Sequence, residues 1–378
     1  MRPVSELRES ELRAWALLAA EALEPNAFFH PANIVAACAE PGLADGVVVA
    51  SVSEGDRILA LAPLRREADW GRHHLDAMTT RVAEAPIGLG TPLVSAHASI
   101  DAVEALLGAV HEHGGAGFLA LEWSGAGGAV EALVRQAAFR LRMPVLVAEE
   151  WRRPVVFRNG VRARLAPKRA RALARWARAT ERELGAPARL VRLSADEGWA
   201  RRFLEMEAGG WKGRQPPGAG ALALEEPTAR WFERVVTSMA GVGWAQPFSL
   251  LAADRELAMM YVTAVPGRAA FATRTTYDER YRNLAPGLQL LVHLEAQFAT
   301  DPAAGGLCDS CTGGEATYFR EVFPDMRRVH NLLVATGGPL ARLALLGAPL
   351  GRWAISSGRR YLRRPGRPQG SLLVEGQL

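Results

Sequence analysis

The spacing of apolar residues along this chain switches repeatedly between a helical and an extended period. Leu12, Trp15, Ala16 and Ala19 recur every three or four positions behind Ser5, a residue suited to capping, and predict a helix over 5–23. The segment PNAFFHPANIVAAC turns at Pro25-Asn26 and enters a second helix after Pro31. Strand-like runs at 46–52 and 57–63 flank the turn Ser53-Glu54-Gly55-Asp56 and predict a hairpin. A polar connection rich in His and Arg leads to a helix over 99–113, which Gly114-Gly115-Ala116-Gly117 stops. An apolar strand over 118–123 follows, and Gly125 to Gly128 opens another helix.

After Pro144 the same order returns. Runs at 248–253 and 256–265 form a hairpin about Asp254-Arg255, and 268–275 extends it past the turn Pro266-Gly267. A helix over 287–300 ends at Asp301-Pro302, and Gly305-Gly306 leads into a strand over 307–310. The shared grammar predicts an α/β (α+β) protein made of two copies of one unit, 1–150 and 151–338, each a mixed, mostly antiparallel sheet flanked by helices. Residues 339–378 stand apart. Their first part, 340–362, is basic and amphipathic, suited either to closing the second unit or to peripheral contact with a membrane surface, and the tail RRPGRPQGSLLVEGQL is expected to be disordered.

Composition narrows the class. With 378 residues, 49% of them hydrophobic, the chain can bury an ample core. The formal charge is +5, but 151–192 holds 13 basic residues against two acidic, while the rest holds 32 basic and 38 acidic. That asymmetry suggests an anionic partner for the segment, although only Lys168 and Lys212 among the 45 basic residues are lysine, which points also to a general bias toward Arg. Cys38, Cys308 and Cys311 make no disulfide framework and fit a reducing compartment. The charged N-terminus does not read as a signal peptide, and Gly337, Gly338, Pro339, Arg342 and Arg352 interrupt the late apolar stretch, so a cytoplasmic protein is expected.

The stretch 273–314 carries the sharpest chemical signal: a small-residue strand ending near Thr273, a charged loop, the pair Pro286-Gly287, an apolar-faced helix and a short strand. A loop that opens onto a helix N-terminus presents unpaired amides and a partial positive charge, which suits a phosphate. The loop reads Tyr277-Asp278-Glu279-Arg280-Tyr281-Arg282-Asn283-Leu284-Ala285-Pro286-Gly287, and Asp309-Ser310-Cys311 lies on the later strand. These segments, with Gly210-Trp211-Lys212-Gly213-Arg214 and, in the first half, Asn26-Ala27-Phe28-Phe29-His30-Pro31, resemble the GNAT acyltransferase superfamily. Within it they are similar to the CelD-type acetyltransferase-like proteins linked to cellulose and exopolysaccharide biosynthesis. The resemblance implies tandem GNAT-like domains, the first without cofactor, and an acyl-CoA co-substrate with no metal.

By that resemblance the CoA-binding residues are Thr273, Arg282, Asn283, Leu284, Ala285 and Gly287, with Ala285 standing where the family pattern has glycine and Pro286 removing one amide donor. Acyl transfer to an amine needs a base and often an acid for the leaving thiolate. Glu279 and Asp309, with Asp278, are candidate bases, and Tyr318 in EATYFREVF resembles the tyrosine that serves as acid in GNAT enzymes. Each carboxylate has a structural alternative, orienting the loop or capping locally. Cys308 and Cys311 fall on opposite faces of a strand, which argues against a CxxC redox or metal pair. Lys212 and Arg214 are candidate acceptor contacts. Lys168, Arg171, Arg175, Arg178 and Arg182 recur at helical spacing as one cationic stripe, with Arg171 and Arg175 as candidates for a diphosphate or anionic glycan. Trp176 falls roughly opposite the stripe with Leu173, Ala177 and Leu184, so stacking aromatics for nucleic acid do not share its face, and a solvated helix face accounts for the stripe as well. The expectation is an acyl-CoA-dependent N- or O-acyltransferase acting on a sugar, polysaccharide or envelope precursor, with a small-molecule or glycan acceptor. A FemAB-like aminoacyl transferase and a non-catalytic accessory of polysaccharide assembly are the alternatives.

Overall fold

The structure, a computed structural model, describes residues 1–71, 74–83, 88–158, 160, 165–216, 220–300, 305–312 and 317–346. The first half runs β1 (Arg2–Pro3), α1 (Glu9–Glu21), α2 (Pro31–Cys38), β2 (Val48–Glu54), β3 (Arg57–Trp70), β4 (Leu75–Thr79), β5 (Leu93–Val94), α3 (Ile100–His113), β6 (Phe118–Gly125), α4 (Ala129–Arg140) and β7 (Val145–Phe157). The second half opens with the added helix α5 (Pro167–Leu184). It continues β8 (Arg189–Arg192), α6 (Glu197–Gly209), α7 (Glu226–Gly241), β9 (Ala245–Ala252), β10 (Arg255–Val265), β11 (Ala269–Tyr277), α8 (Pro286–Thr300), β12 (Leu307–Asp309), α9 (Thr317–Val322) and β13 (Asp325–Val334). Strand, two helices, three strands, helix, strand, helix, strand: the two halves share this order apart from α5 and the short β5. The expected mixed, mostly antiparallel architecture is present, since only β4 with β6 and β11 with β12 pair in parallel.

The strands join in the order β1-β2-β3-β4-β6-β13-β7-β12-β11-β10-β9-β8, with β5 on β3. The last strand of each half therefore crosses over: β13 pairs with β6, β7 pairs with β12, and the two exchanged strands pair with each other from Asp325↔Val155 to Val334↔Val145. Residue 150, where the sequence reading divides the halves, lies inside β7. The late amphipathic stretch is helical over 339–346, and its remainder and the tail lie outside the described residues. No helix among the described residues is long and apolar enough to cross a membrane.

Three large cores flank this sheet, and a small fourth packs Trp70 and Phe118 with Leu333 and Leu345. One is shared between halves: Trp15, Phe28 and Phe29 join Trp199, Phe203 and Phe232 over Tyr261 and Phe271. The NAFFHP segment is built to enter it. Asn26 donates to the carbonyls of Leu89 (3.1 Å) and Thr91 (2.8 Å) while its Oδ1 accepts from the amide of Phe28 (3.0 Å), and Trp15 Nε1 donates to the Phe29 carbonyl at 2.8 Å. His30 Nδ1 accepts from the Ala32 amide and caps α2, and burial lowers its pKa to about 4, keeping it neutral for that role. On the opposite face of the second half, Leu288, Leu291 and Phe298 pack with Phe319 and Phe323, and Trp176 of α5 closes over them. The third core lies under α3 and α4.

At the crossover a carboxylate is fully enclosed. Asp309, 0% exposed, is 3.4 Å from Arg153 of β7 and 3.1 Å from Arg327 of β13, and its Oδ1 accepts from the Cys311 amide at 2.9 Å. Arg153, itself 1% exposed, also donates to the Gly88 carbonyl at 2.6 Å. An ion removed from water survives only when paired, and removing one partner of such a set costs about 3–5 kcal/mol. Asp309→Ala is accordingly expected to lower unfolding stability by about 3–5 kcal/mol. Glu9→Ala, which breaks an exposed helix pair with Arg13, should change it by less than about 1 kcal/mol; urea melts at neutral pH check both.

Candidate functional site

Two hollows meet on β11. Its register against β10 passes from Tyr261↔Arg274 to Val262↔Ala272, so Thr273 is an extra residue, a β-bulge that re-aims its neighbours. On the other edge, β11 pairs with β12 only as far as Phe271↔Asp309. Beyond that point a narrow hollow opens between Ala272 to Thr275 and Ser310, Cys311 and Phe319. Thr273 and Arg274 also line a second, small cavity, which reaches under α7 to Phe28 and Asn33 of the first half.

The first half has the same divergence between β4 and β6, but its own chain fills the gap. Thr80 Oγ1 accepts from the Glu122 amide at 2.8 Å, and Gly90 lies so close that a Cβ there would fall 2.2 Å from the Glu122 carbonyl oxygen.

Behind Arg274 stands a buried charge cluster that the sequence reading did not identify. Glu207 Oε1 accepts from Arg274 Nε at 2.7 Å and Lys212 Nζ at 3.0 Å, and its Oε2 accepts from the Leu222 amide at 2.8 Å. Lys212 donates also to the Thr275 carbonyl, and Arg274 to the Gly220 carbonyl. Burial lowers the Lys212 pKa to about 8 against the attraction of Glu207. Burial pushes the Glu207 carboxyl up, but Lys212 and Arg274 outweigh it and hold the group below its ordinary value. Lys212 is thus not an open acceptor contact, as expected from sequence: it is 6% exposed and ties the Trp211–Arg214 turn to β11. Gly213 makes that turn feasible, since a Cβ there would meet the Ala208 carbonyl oxygen at 1.8 Å.

The loop after β11 is a 3-10 turn over Glu279–Leu284, capped by Asp278, whose side chain accepts from the Arg280 amide. Ala285 sits at φ +50°, in the left-handed region, and Pro286 opens α8. Leu284 and Ala285 are both buried, Ala285 in the core under α8, so these side chains expected at a cofactor are withdrawn from solvent. Arg282 and Asn283 are exposed, and Arg282 forms no ion pair among the described residues. At Gly287 an added Cβ would come no nearer than 3.6 Å to Tyr277, an ordinary contact, so internal packing does not require glycine there. Gln289 ties the turn to α5 by donating to the Leu284 carbonyl (2.7 Å) and Thr180 Oγ1 (3.1 Å).

The remaining expected residues separate into distinct places. Glu279 is paired with Arg214 at 2.9 Å, and Asp278 with Arg280, so both carboxylates order the loop. Asp309 is held between Arg153 and Arg327, which gives it a structural partner set in place of the free carboxylate that a base requires. Tyr318 is half-buried against Phe319 with ring centroids 4.8 Å apart; burial raises its pKa, and the Arg274 charge opposes that shift. Cys308 and Cys311 belong to the cores on opposite faces, and burial raises both thiols. Lys168, Arg171, Arg175, Arg178 and Arg182 are all exposed on α5, which packs on the α8 face against the Glu279–Leu284 turn. Arg171 and Arg175 are thus carried by a helix on the far face from the cavity under α7.

Residues 167–318 match the family model described as Acetyltransferase (GNAT) domain. A search of the curated proteins finds no match by sequence. Among solved structures, FemX is similar at 9% identity over 86% of this chain and 95% of that one, with a TM-score of 0.58. The C-terminal domain (DUF2156) of an Agrobacterium fabrum protein provisionally named a lysylphosphatidylglycerol synthetase is 11% identical over 92% of this chain and 97% of its own, with a TM-score of 0.52. L-PGS from Bacillus licheniformis is 11% identical over 91% and 97%, also with a TM-score of 0.52. The second half thus matches a GNAT domain model over residues 167–318, and the fold of the two halves is similar to that of these proteins.

Glu207→Gln leaves Lys212 and Arg274 without a counter-charge and is expected to cost about 3–5 kcal/mol at pH 7. Because the folded carboxyl lies below its ordinary value of 4.5, its contribution is complete above that pH and is lost as pH falls through the folded value. Urea midpoints of wild type and variant should converge on acidification; a gap independent of pH would contradict the assignment.

Proposed function

We propose that the second half is an acyl-CoA-dependent N- or O-acyltransferase of the CelD type. Its acceptor would be carried by a sugar, polysaccharide or envelope precursor in the cytoplasm. The observation that carries this reading is the divergence of β12 from β11 after Phe271, next to the Thr273 bulge, which leaves a strand edge lining a hollow. Strand-edge amides suit the amide-bearing arm of CoA, and exposed Arg282 beside the α8 N-terminus suits its phosphates. Gly287 permits close approach there, while Pro286 leaves one amide fewer than the family pattern. Tyr318, protonated at neutral pH and close enough to sense Arg274, suits the acid that protonates the leaving thiolate. Among the candidate bases, the ion pairs of Asp309 and Glu279 favour a base or water supplied with the acceptor. Calorimetry should detect acetyl-CoA binding, and Arg282→Ala should weaken it about tenfold without lowering Tm. Absence of binding to folded protein at millimolar ligand would refute the reading.

A second reading, transfer from an aminoacyl-tRNA, is favoured by one observation: α5, which carries the exposed cationic stripe, packs against the same loop. It predicts that tRNA competes with or replaces CoA. Arg171→Glu with Arg175→Glu should then weaken tRNA binding at least tenfold at low salt and much less at high salt. Binding that ignores both salt and the substitutions would assign the stripe to solvent.

A further inference from the structure

The helix over 339–346 is apolar on both sides. Ala341 and Leu345 face inward and pack with Trp70, Phe118 and Leu333. At about 100° per residue, Leu340, Leu343 and Leu346 fall on the opposite side, and they are 83%, 63% and 62% exposed. Pro339 and Ala344 are exposed with them, so every exposed residue of this helix is apolar. Elsewhere among the described residues large apolar side chains this exposed occur singly, as Leu17 on α1 and Phe139 on α4. A solvated helix of the same chain looks different: α5 turns Lys168, Arg171, Arg175 and Arg178 outward. A contiguous leucine stripe left in water, on a helix whose inner face is already buried, marks a contact surface.

The composition of the chain beyond it selects the partner. Residues 347–378 hold Arg352, Arg359, Arg360, Arg363, Arg364 and Arg367 against one acid, Glu375, with Trp353, Ile355, Tyr361 and Leu362 among them. A leucine stripe joined to a cationic run suits a bilayer that carries anionic headgroups: the leucines enter the acyl boundary, the arginines meet the phosphates, and the two signals together give the binding that one alone does not. A second copy of the chain fits less well. It would bring two cationic runs together, and three leucines on two helical turns fall well short of the roughly 800 Å² per partner of a standard interface. Covering of the stripe by residues 347–378 would account for the leucines and not for the arginines.

We propose that the helix over 339–346, with the arginine run behind it, docks the protein on an anionic lipid surface. The helix lies in the interface, since none of the described helices is long and apolar enough to cross a membrane. The proposal is independent of the acyltransferase reading.

Co-sedimentation of the full chain with vesicles of phosphatidylglycerol and phosphatidylcholine in equal parts, compared with phosphatidylcholine alone, tests it. Binding to the mixed vesicles should be at least about tenfold tighter and should weaken as salt rises. Leu340→Asp with Leu343→Asp should weaken it at least about tenfold and leave Tm unchanged, because both side chains are exposed. Arg359→Glu with Arg360→Glu should weaken it at least about tenfold on mixed vesicles. No binding to mixed vesicles, equal binding to both kinds, or binding that survives either pair of substitutions would overturn the proposal. So would a lower Tm for the leucine pair, which would show that the protein itself covers the stripe, or a wild-type dimer that the leucine pair dissociates. Binding lost only on reversing Arg171 and Arg175 would move the contact to α5 and overturn it as well.

Discussion

Asp309 cannot be left without partners. A carboxylate with no exposed surface must be met by cations and amides, and here they come from strands that the chain order keeps far apart: Arg153 of β7, Arg327 of β13 and the turn at Cys311. The exchange of β7 and β13 brings both arginines to one point, and the ion set in turn favours that exchange over pairing within each half. Everything about the site depends on where β12 then ends. With Asp309 pinned toward β7, the chain leaves the sheet and cannot continue along β11, so Thr273 to Thr275 keep an edge free of a neighbouring strand. The residue that the sequence reading placed as a catalytic base instead determines the shape of the hollow.

The parts of the fold visible in the sequence are those built by local pairing. Hairpins β2–β3 and β9–β10, helices α3 and α8 and the strand β6 were legible because alternation and turn residues are close in sequence. β7 and β13 were not. Each mixes charged residues with apolar ones, as in Glu149-Glu150-Trp151-Arg152-Arg153 and Asp325-Met326-Arg327-Arg328, and they pair with each other across 170 residues at Asp325 with Val155 (325 − 155) and 189 at Val334 with Val145 (334 − 145), beyond any local rule. The exchange also explains why dividing the chain at residue 150 cuts a strand.

The site was legible in its loop and obscure in its floor. Tyr277 to Gly287 has a distinctive order of residues, and the structure places it at the opening of α8. Glu207, Arg274, Trp231 and Tyr261 come from four different elements, and their identities in isolation suggest only ordinary surface or core residues. Lys212 shows the difficulty in miniature. A lysine in an irregular Gly-containing turn reads as a surface contact, yet Gly213 lets the turn fold down on α6 and carries the ammonium into the interior. What betrays the cluster is the pairing of a buried Glu with two cations, visible only once the helices are placed.

The bulge at Thr273 unites these observations. In a regular strand Thr273 and Arg274 would point to opposite faces, so one of them alone would serve each hollow. An inserted residue disturbs that alternation, and both side chains reach the walls of both hollows. Thr273 Oγ1 donates to the Tyr261 carbonyl at 2.8 Å, which ties the bulge to β10. A shift at either hollow therefore reaches the other through a single backbone irregularity, braced by the Glu207 cluster behind it. One bulged strand, held on one side by β10 and released on the other by the departure of β12, thus gives both hollows a common wall.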